Sequence, residues 1–482
     1  MGESMAKKVD ERLAQAMRAL ASGQIQVAEA LCRAVLQDHK RDDLAMALLA
    51  QVCNQSSRYD EAVELIRTAI AKNPKRADYH GLLADMLTTR GDFRGAIHSY
   101  DKALKCKPKH PGVLSGKANT WLRLNEPDKA IKLLSPLMKG GNEDVTIATV
   151  YAKALIASGE PLEASSALLG HLPADGEPIE TRRTMYFVLG SAMEKAGEYK
   201  SAFEAYTQAN ELSLGGFDFE GCTQLHDEIV EAFPASSFDA MPSSENDDDS
   251  RVFVVGMLRS GSTLTEQIID AHPDGEGLGE IEVLPRLIRK HGGDCSISEL
   301  LAVMDKQALY ALSEEYLAET DSNAKVVVDK QLGNYKFLGL IAALFPKAKI
   351  IHCTRNPLAL GMSCFAQKLP PGTNPWSSSL RGIGHYYSEY NKLMKHWEAL
   401  LGNRMLQVQY EDLVVDQETQ TRRILDFCEL DFHEKCMRFW ESGRTVLTLS
   451  QDQVRKPLYN SAVSRHERFG NLLDPLRDAL NL

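Results

Sequence analysis

The chain has 482 residues, too many for one hydrophobic core, so two or three domains are expected. A hydrophobic content of 44% is ample for folded domains. A net charge of −11 argues against a general nucleic-acid binder, which needs a basic face to meet phosphate. The excess acid lies mostly before Arg251, and the near-neutral remainder leaves room for a local basic pocket. Nine cysteines in a chain of this size do not make a disulfide scaffold. Cys32, Cys53 and Cys106 fall in helical patterns and are expected as buried thiols, and Cys428 with Cys436 lacks a second pair for zinc. No signal-peptide core marks the start and no apolar run spans a bilayer, so a cytoplasmic protein without a membrane span is expected.

From about residue 9 to 212 the sequence repeats with a period of 34. The cleanest unit, 77–110, carries Leu83, Ala84, Leu87, Gly91, Ala96, Tyr100, Ala103 and Pro108. The unit before it has Leu49, Ala50, Ala62, Ile66, Ala69 and Pro74. Weaker copies give Gly23 and Ala28, then Ala118, Trp121 and Ala130, then Ala152, Gly159 and Ala164. A last sharp copy gives Leu189, Gly190, Gly197, Ala202, Tyr206 and Ala209. These are the positions of a tetratricopeptide repeat, in which small residues let paired helices approach and larger ones fill the next gap. A superhelix with a concave face is expected over 1–235. Its groove would bind a peptide or partner protein; a rigid spacer or a homodimerisation arm is the alternative.

Residues 236–250 are polar, acidic and turn-forming, and are expected to be a solvated linker. The run Asp247–Asp249 has nothing to fix a metal geometry, so no metal site is expected there.

From Arg251 onward strands and helices alternate, as in an α/β domain with a central parallel sheet. Strands are expected at 252–255, 324–328, 348–352 and 405–408, with helices at 263–271 and 337–345. The segment from Arg251 to Leu264 reads as a buried strand entering a glycine-rich loop that opens a helix. Gly256 and Gly261 have P-loop spacing, but Ser262 stands where an ATPase carries lysine. Backbone amides at a helix N-terminus can still hold a phosphate. The loss of that lysine points to a nucleotide 5'-phosphate other than a triphosphate. Arg259, Ser260, Ser262, Thr263, Lys330, Arg355 and Tyr410 all follow strand ends, where open parallel sheets bind ligands.

Three segments in this order resemble the sulfotransferases that use 3'-phosphoadenylyl sulfate, with protein-tyrosine sulfotransferases and bacterial repeat-linked relatives as the nearest subfamily. Met257–Leu264 resembles the 5'-phosphosulfate loop and continues through Ile268–Pro273 to Gly279–Pro285. Asp329 and Lys330 resemble the segment of the catalytic lysine, and Arg355–Pro357 with Ser363 resembles the 3'-phosphate motif. Asp452–Pro457 with Ser464 and Arg465 resembles the segment closing over the adenylyl group. The likeness covers 251–482.

The resemblance implies sulfuryl transfer from 3'-phosphoadenylyl sulfate to an acceptor hydroxyl, protein tyrosine among the candidates, leaving adenosine 3',5'-bisphosphate and requiring no metal. Arg259, Ser260, Gly261, Ser262 and Thr263 would hold the 5'-phosphate. Arg355, Ser363 and Arg465 would hold the 3'-phosphate, and Tyr410 would line the nucleotide. Lys330 would meet the bridging oxygen, and Ser450 would contact the sulfuryl. Glu280 would be the base, and Arg286 would help to bind an acceptor. His272 is expected to be structural. Glu282 stands where the tyrosine enzymes carry an arginine, and Met257 and Leu258 replace the usual proline. The secretory anchor and cysteine pairing of the animal enzymes are not expected. A P-loop kinase or NTPase, or a catalytically inactive repeat scaffold binding a protein partner, are the alternatives.

Overall fold

The computed structural model describes residues 2–482 apart from 57, 142, 173–174, 214, 294, 370–371, 442–457 and 459–462. Two compact units emerge, Met1–Ala205 and Tyr206–Leu482, with the division inside the helix Tyr199–Glu211.

The first unit is a series of antiparallel helical pairs such as Asp43–Gln55 with Tyr59–Lys72 and Ala77–Thr89 with Phe93–Cys106. Ala28, Ala62, Ala96, Ala130 and Ala164 recur every 34 residues near the start of each second helix, and all are fully buried. Ala16, Ala50, Ala84, Ala118 and Ala152 recur with the same period on the first helices and are equally buried. A methyl group at each crossing lets the backbones close, and Leu87 and Tyr100 fill the space beside them.

Between the helices of a pair the chain turns through a positive φ. Gly23 (75°), Gly91 (82°) and Gly159 (89°) supply it, and Asn125 (58°) takes the equivalent place in the fourth pair. Asparagine tolerates this conformation better than other side-chain-bearing residues. The last pair is out of step, because Gly197 and Ala202 follow Gly159 and Ala164 by 38 residues. The extra length falls in the connection between Pro161–Leu169 and Ile179–Lys195. Cys32 and Cys53 are buried as expected. Cys106 is exposed instead, because it ends its helix beside the lysine-rich turn.

In the second unit, five parallel strands form one sheet: β1 (Arg251–Gly256), β2 (Gly275–Gly279), β3 (Val326–Asp329), β4 (Lys349–Thr354) and β5 (Met405–Gln409). Their order is β2-β3-β1-β4-β5. Every residue of β1 is buried, as a central strand covered on both faces requires. On one face Val252, Val254, Ile268, Val328 and Ile351 share a core, and on the other Phe253, Tyr316 and Phe345 pack ring against ring. Four strands match the sequence reading within a residue or two. β2 was not expected, because Gly-Glu-Gly-Leu-Gly has low strand propensity. It is held by its neighbour, pairing with β3 through an irregularity between Gly277 and Gly279.

Two expectations about the start of this unit change. The sequence reading ran the helical domain to residue 235, yet Phe219–Ala232 packs on the long helix Leu380–Leu401. His226 meets the Tyr335 hydroxyl at 3.0 Å, and His396 meets the Phe233 carbonyl at 2.9 Å. The acidic segment 236–250 is pinned at Ser244 and Asn246, while Glu245, Asp247 and Asp249 stay exposed. Ser244 donates to the carbonyls of Ala343 (2.8 Å) and Leu344 (2.6 Å), and the Asn246 amide donates to Ser313 and Glu314. Polar side chains that satisfy helix-end carbonyls explain this docking as well as they explain a loop.

Candidate active site

The loop after β1 is the first part of the site. Gly261 has φ 100°, and a Cβ there would lie 2.8 Å from the Tyr410 ring, so both the turn and the close approach require glycine. Arg259 adopts φ 71°, which is uncommon for a residue with a long side chain. Two contacts hold it there. Its Nε donates to Ser363 Oγ (3.0 Å), and its carbonyl accepts from Arg355 Nη1 (3.0 Å). The helix Ser262–Asp270 then starts with no side-chain cap on its first amides. Ser260 is buried beneath the loop, and its hydroxyl has no hydrogen-bond partner among the described residues.

β4 and β5 supply the second part. Arg355 follows β4, and its guanidinium lies 4.6 Å from the centroid of the Tyr410 ring, just after β5. Burial holds Arg355 below its ordinary pKa; Tyr410 and Glu411 oppose this, and the charge of Arg465 adds to it. Ser363 lies on the helix Pro357–Phe365, which Asn356 caps by accepting from the amides of Leu358 and Ala359. The structure thus brings Arg259, Arg355, Ser363, Tyr410 and Arg465 to one end of the sheet, around an uncapped helix N-terminus. A buried arginine, Arg355, and the half-buried Arg259 and Arg465 beside a helix N-terminus suit an anion with more than one phosphate.

β2 and β3 supply the third part. Lys330 follows β3 and is fully buried, yet its ammonium donates to Glu280 Oε1 at 2.6 Å. Glu266 Oε2 lies 3.9 Å from the same nitrogen. Glu266 was missed in the sequence. It is a buried carboxylate on the helix Ser262–Asp270, and its Oε1 accepts from the Gly279 amide at 2.6 Å. The Gly279 carbonyl in turn accepts from the Lys330 amide at 3.1 Å. These links fasten the end of β2 to the helix and to β3, and so set Glu280 against Lys330. The only sequence signal for Glu266 was a charge within a buried run. Glu280 is partly open to solvent, its side chain 41% exposed, so its free edge can reach an acceptor.

Asp329 is buried and pushed up to about 6 by that burial, despite donation from the Tyr316 hydroxyl (2.8 Å) and the Gln331 amide (2.9 Å). His272 spends both ring nitrogens on backbone: Nε2 pairs with the Asp431 carbonyl (2.9 Å), and Nδ1 accepts from the Asp274 amide (3.0 Å). Arg286 is not brought to this cluster. It pairs with Glu319 on the helix Lys306–Glu319. Glu282 accepts from Gln331 Nε2 at 2.7 Å. Ser450 and the segment Asp452–Pro457 lie outside the described residues. Among the described residues no group of three or more His, Cys, Asp or Glu side chains is placed to hold a metal, and no helix is long and apolar enough to cross a membrane.

Known proteins match the two units separately. Residues 251–434 match the sulfotransferase family, and residues 19–86 and 87–148 match the tetratricopeptide repeat. An uncharacterized protein of Aquifex aeolicus is 28% identical over 84% of this chain and 54% of its own length. Protein-tyrosine sulfotransferase 1 of Danio rerio is 26% identical over 46% of this chain and 66% of its own length. The chain therefore spans only about half to two thirds of these curated relatives. The sulfotransferase domain of the Synechococcus PCC 7002 olefin synthase is 20% identical, covering 47% of this chain and 90% of that one at a TM-score of 0.35. The chain is a tetratricopeptide-repeat region fused to a sulfotransferase-like domain, distantly related to the protein-tyrosine sulfotransferases.

Proposed function

We propose that this chain transfers a sulfuryl group from 3'-phosphoadenylyl sulfate to an acceptor hydroxyl, with tyrosine in a protein as a candidate acceptor. The observation that carries the reading is the Lys330–Glu280 pair standing at the same sheet end as the Arg259–Arg355–Ser363 cluster. In this reading the loop amides and Arg259 hold the 5'-phosphate, and Arg355, Ser363 and Arg465 hold the 3'-phosphate, with Tyr410 beside them. The acceptor oxygen attacks sulfur as the bond from sulfur to the bridging oxygen breaks. The acceptor proton passes to Glu280, and the charge left on the departing phosphate is met by Lys330. Lys330 then exchanges Glu280 for the phosphate while Glu266 keeps the ammonium in place. Ser450 completes the sulfuryl contacts in this proposal. The repeats give the chain a capacity for protein interaction, and we assign them the recruitment of the acceptor.

The decisive measurement is calorimetry with adenosine 3',5'-bisphosphate and with ATP plus magnesium. Tighter binding of the bisphosphate is expected, because no lysine follows Gly261 and two arginines with a serine are poised for a second phosphate. Stronger, magnesium-dependent ATP binding would replace this reading with a P-loop kinase or NTPase. Binding of the bisphosphate without transfer to any hydroxyl in a broad panel would leave the inactive scaffold.

A further inference from the structure

Both chain segments that leave the Glu280–Lys330 pair run along a second cleft. From Glu280 the chain enters the helix Val283–Gly292, and from Lys330 it enters the short 3-10 segment Leu332–Phe337. Together with the helices Phe219–Ala232 and Ile297–Val303 they enclose a cleft of about 630 Å³, within the ~300–1,000 Å³ common for ligand pockets. Leu225, Ile229, Ile288 and Phe337 give it an apolar lining. Two cations border it: Arg289, exposed at the rim and 4.0 Å from the Glu282 carboxylate, and Lys336, set deeper against the Tyr335 ring.

Lys336 is set apart by burial without a carboxylate beside it. Lys290, Lys349 and Lys392 each hold a carboxylate, of Glu315, Glu429 and Glu389 respectively. Among the described residues the Lys336 ammonium has no carboxylate partner, and it lies 5.7 Å from the centroid of the Tyr335 ring. The acids at the cleft edge are already engaged. Glu228 accepts from Gln224, and Glu299 closes a capping box with Ser296. Burial lowers Lys336 from its ordinary pKa, so an anion beside it would restore what desolvation removes. A desolvated ammonium on an apolar wall, with the second cation already beside Glu282 at the rim, matches a ligand that is apolar with one negative charge.

We propose that this cleft is a second acceptor subsite, and that the acceptor is a small molecule with an apolar body and one anionic group, which pairs with Lys336 while its hydroxyl lies at Glu280. The proposal rests on the sulfotransferase reading above. Lys330 and Lys336 are six residues apart, on the order of 12 Å at the ~2.0 Å rise of a 3-10 segment. Hydroxyl and anion should therefore be separated by roughly that length or less.

The test uses the full chain, 3'-phosphoadenylyl sulfate, and a series of 4-hydroxyphenylalkanoates of increasing length beside their methyl esters. The acids should exceed the esters in kcat/KM by about tenfold or more once the spacer reaches Lys336, as a charge-assisted contact supplies. Lys336→Met should bring acid and ester level. Leu225→Asp, at the exposed rim, should lower the acids selectively and provides a second test should Lys336→Met fold poorly. Acid and ester turned over equally by the parent, or a preference that survives Lys336→Met, overturns the subsite. A preference confined to tyrosine peptides with acidic flanks overturns the small-molecule form. Calorimetry with adenosine 3',5'-bisphosphate on the same samples keeps the two ideas apart. Absent binding overturns the sulfotransferase reading, whereas normal binding with equal acid and ester rates overturns the subsite alone.

Discussion

The repeat unit and the α/β unit bury different chemistry. In the repeats the recurrent buried side chain is a methyl group, set every 34 residues at successive helix crossings. A buried charge there is answered locally, as Arg183 is by Glu180. In the α/β unit Lys330, Glu266, Arg355 and Ser260 are buried, and they gather at one end of one sheet. Burying charge is expensive unless it is paired. A repeated methyl group specifies shape, whereas a concentration of buried charge at one sheet end is the basis of the proposed anion site.

That contrast gives expected effects of very different size. The largest belongs to Glu280→Gln. Transfer should fall by about 10²–10⁴-fold, the usual cost of losing a general base, while affinity for adenosine 3',5'-bisphosphate stays near that of the parent. Single-turnover transfer and calorimetry on the same preparation check both halves. Transfer at the parent rate would move the base elsewhere, with Glu282 the next candidate.

Arg355→Ala should act on binding first. Its guanidinium holds the Arg259 carbonyl and stacks on Tyr410, so its loss removes a phosphate contact and loosens the loop together. Affinity for the bisphosphate should drop by roughly 10–100-fold, as expected for about 1.5–3 kcal/mol of charge-assisted hydrogen bonding. Unchanged affinity would remove Arg355 from the nucleotide site.

In the repeats, Ala96→Leu should cost about 1–3 kcal/mol of stability through overpacking and leave nucleotide affinity untouched. Thermal unfolding and calorimetry together decide it. A matching loss of nucleotide affinity would end the contrast between the units. Asn125→Val is a milder version of the same test. A β-branched residue at φ 58° should cost about 1–2 kcal/mol, whereas Asn125→Gly should be nearly neutral.

A separate expected effect is a change in pH dependence inside the α/β unit. Burial pushes His352 down to about 4, with its Nε2 paired to the Tyr390 hydroxyl at 2.8 Å. The native state then binds fewer protons than the unfolded chain, so stability is lost as pH falls from ~6.5 toward 4. Asp329, raised to about 6, works in the opposite sense, losing stability as pH rises from ~4 through 6. His352→Gln removes the first contribution and keeps the second. Between pH 7 and 4.5 the variant should lose less of its unfolding midpoint than the parent does. Equal losses would show that His352 titrates normally in the folded chain.

Much of this was legible in the chain itself. The 34-residue period appears directly, because each repeat must place small residues at the same crossings. Glycine at the turn was equally visible, but Asn125 was not, since asparagine is common outside this conformation. β1, β3, β4 and β5 show as apolar runs ended by polar residues. β2 does not, because a glycine-rich segment acquires its strand character only from β3 beside it. Arg259, Lys330, Arg355 and Ser363 could be picked out by order and spacing, while their mutual contacts could not.

The sequence by itself determined the repeat architecture, the alternation of the α/β unit and the residue types at its strand ends, because periodicity and loop chemistry are local properties. Tertiary structure decided what those residues do to one another. Glu266 joined the Lys330 pair only when its helix was laid against the end of β2. Arg286 was taken up by Glu319, 33 residues away, and the acidic segment before β1 was pinned through Ser244 and Asn246. Such pairings depend on distances between segments far apart in the chain, and no local pattern encodes which carboxylate reaches a given cation first.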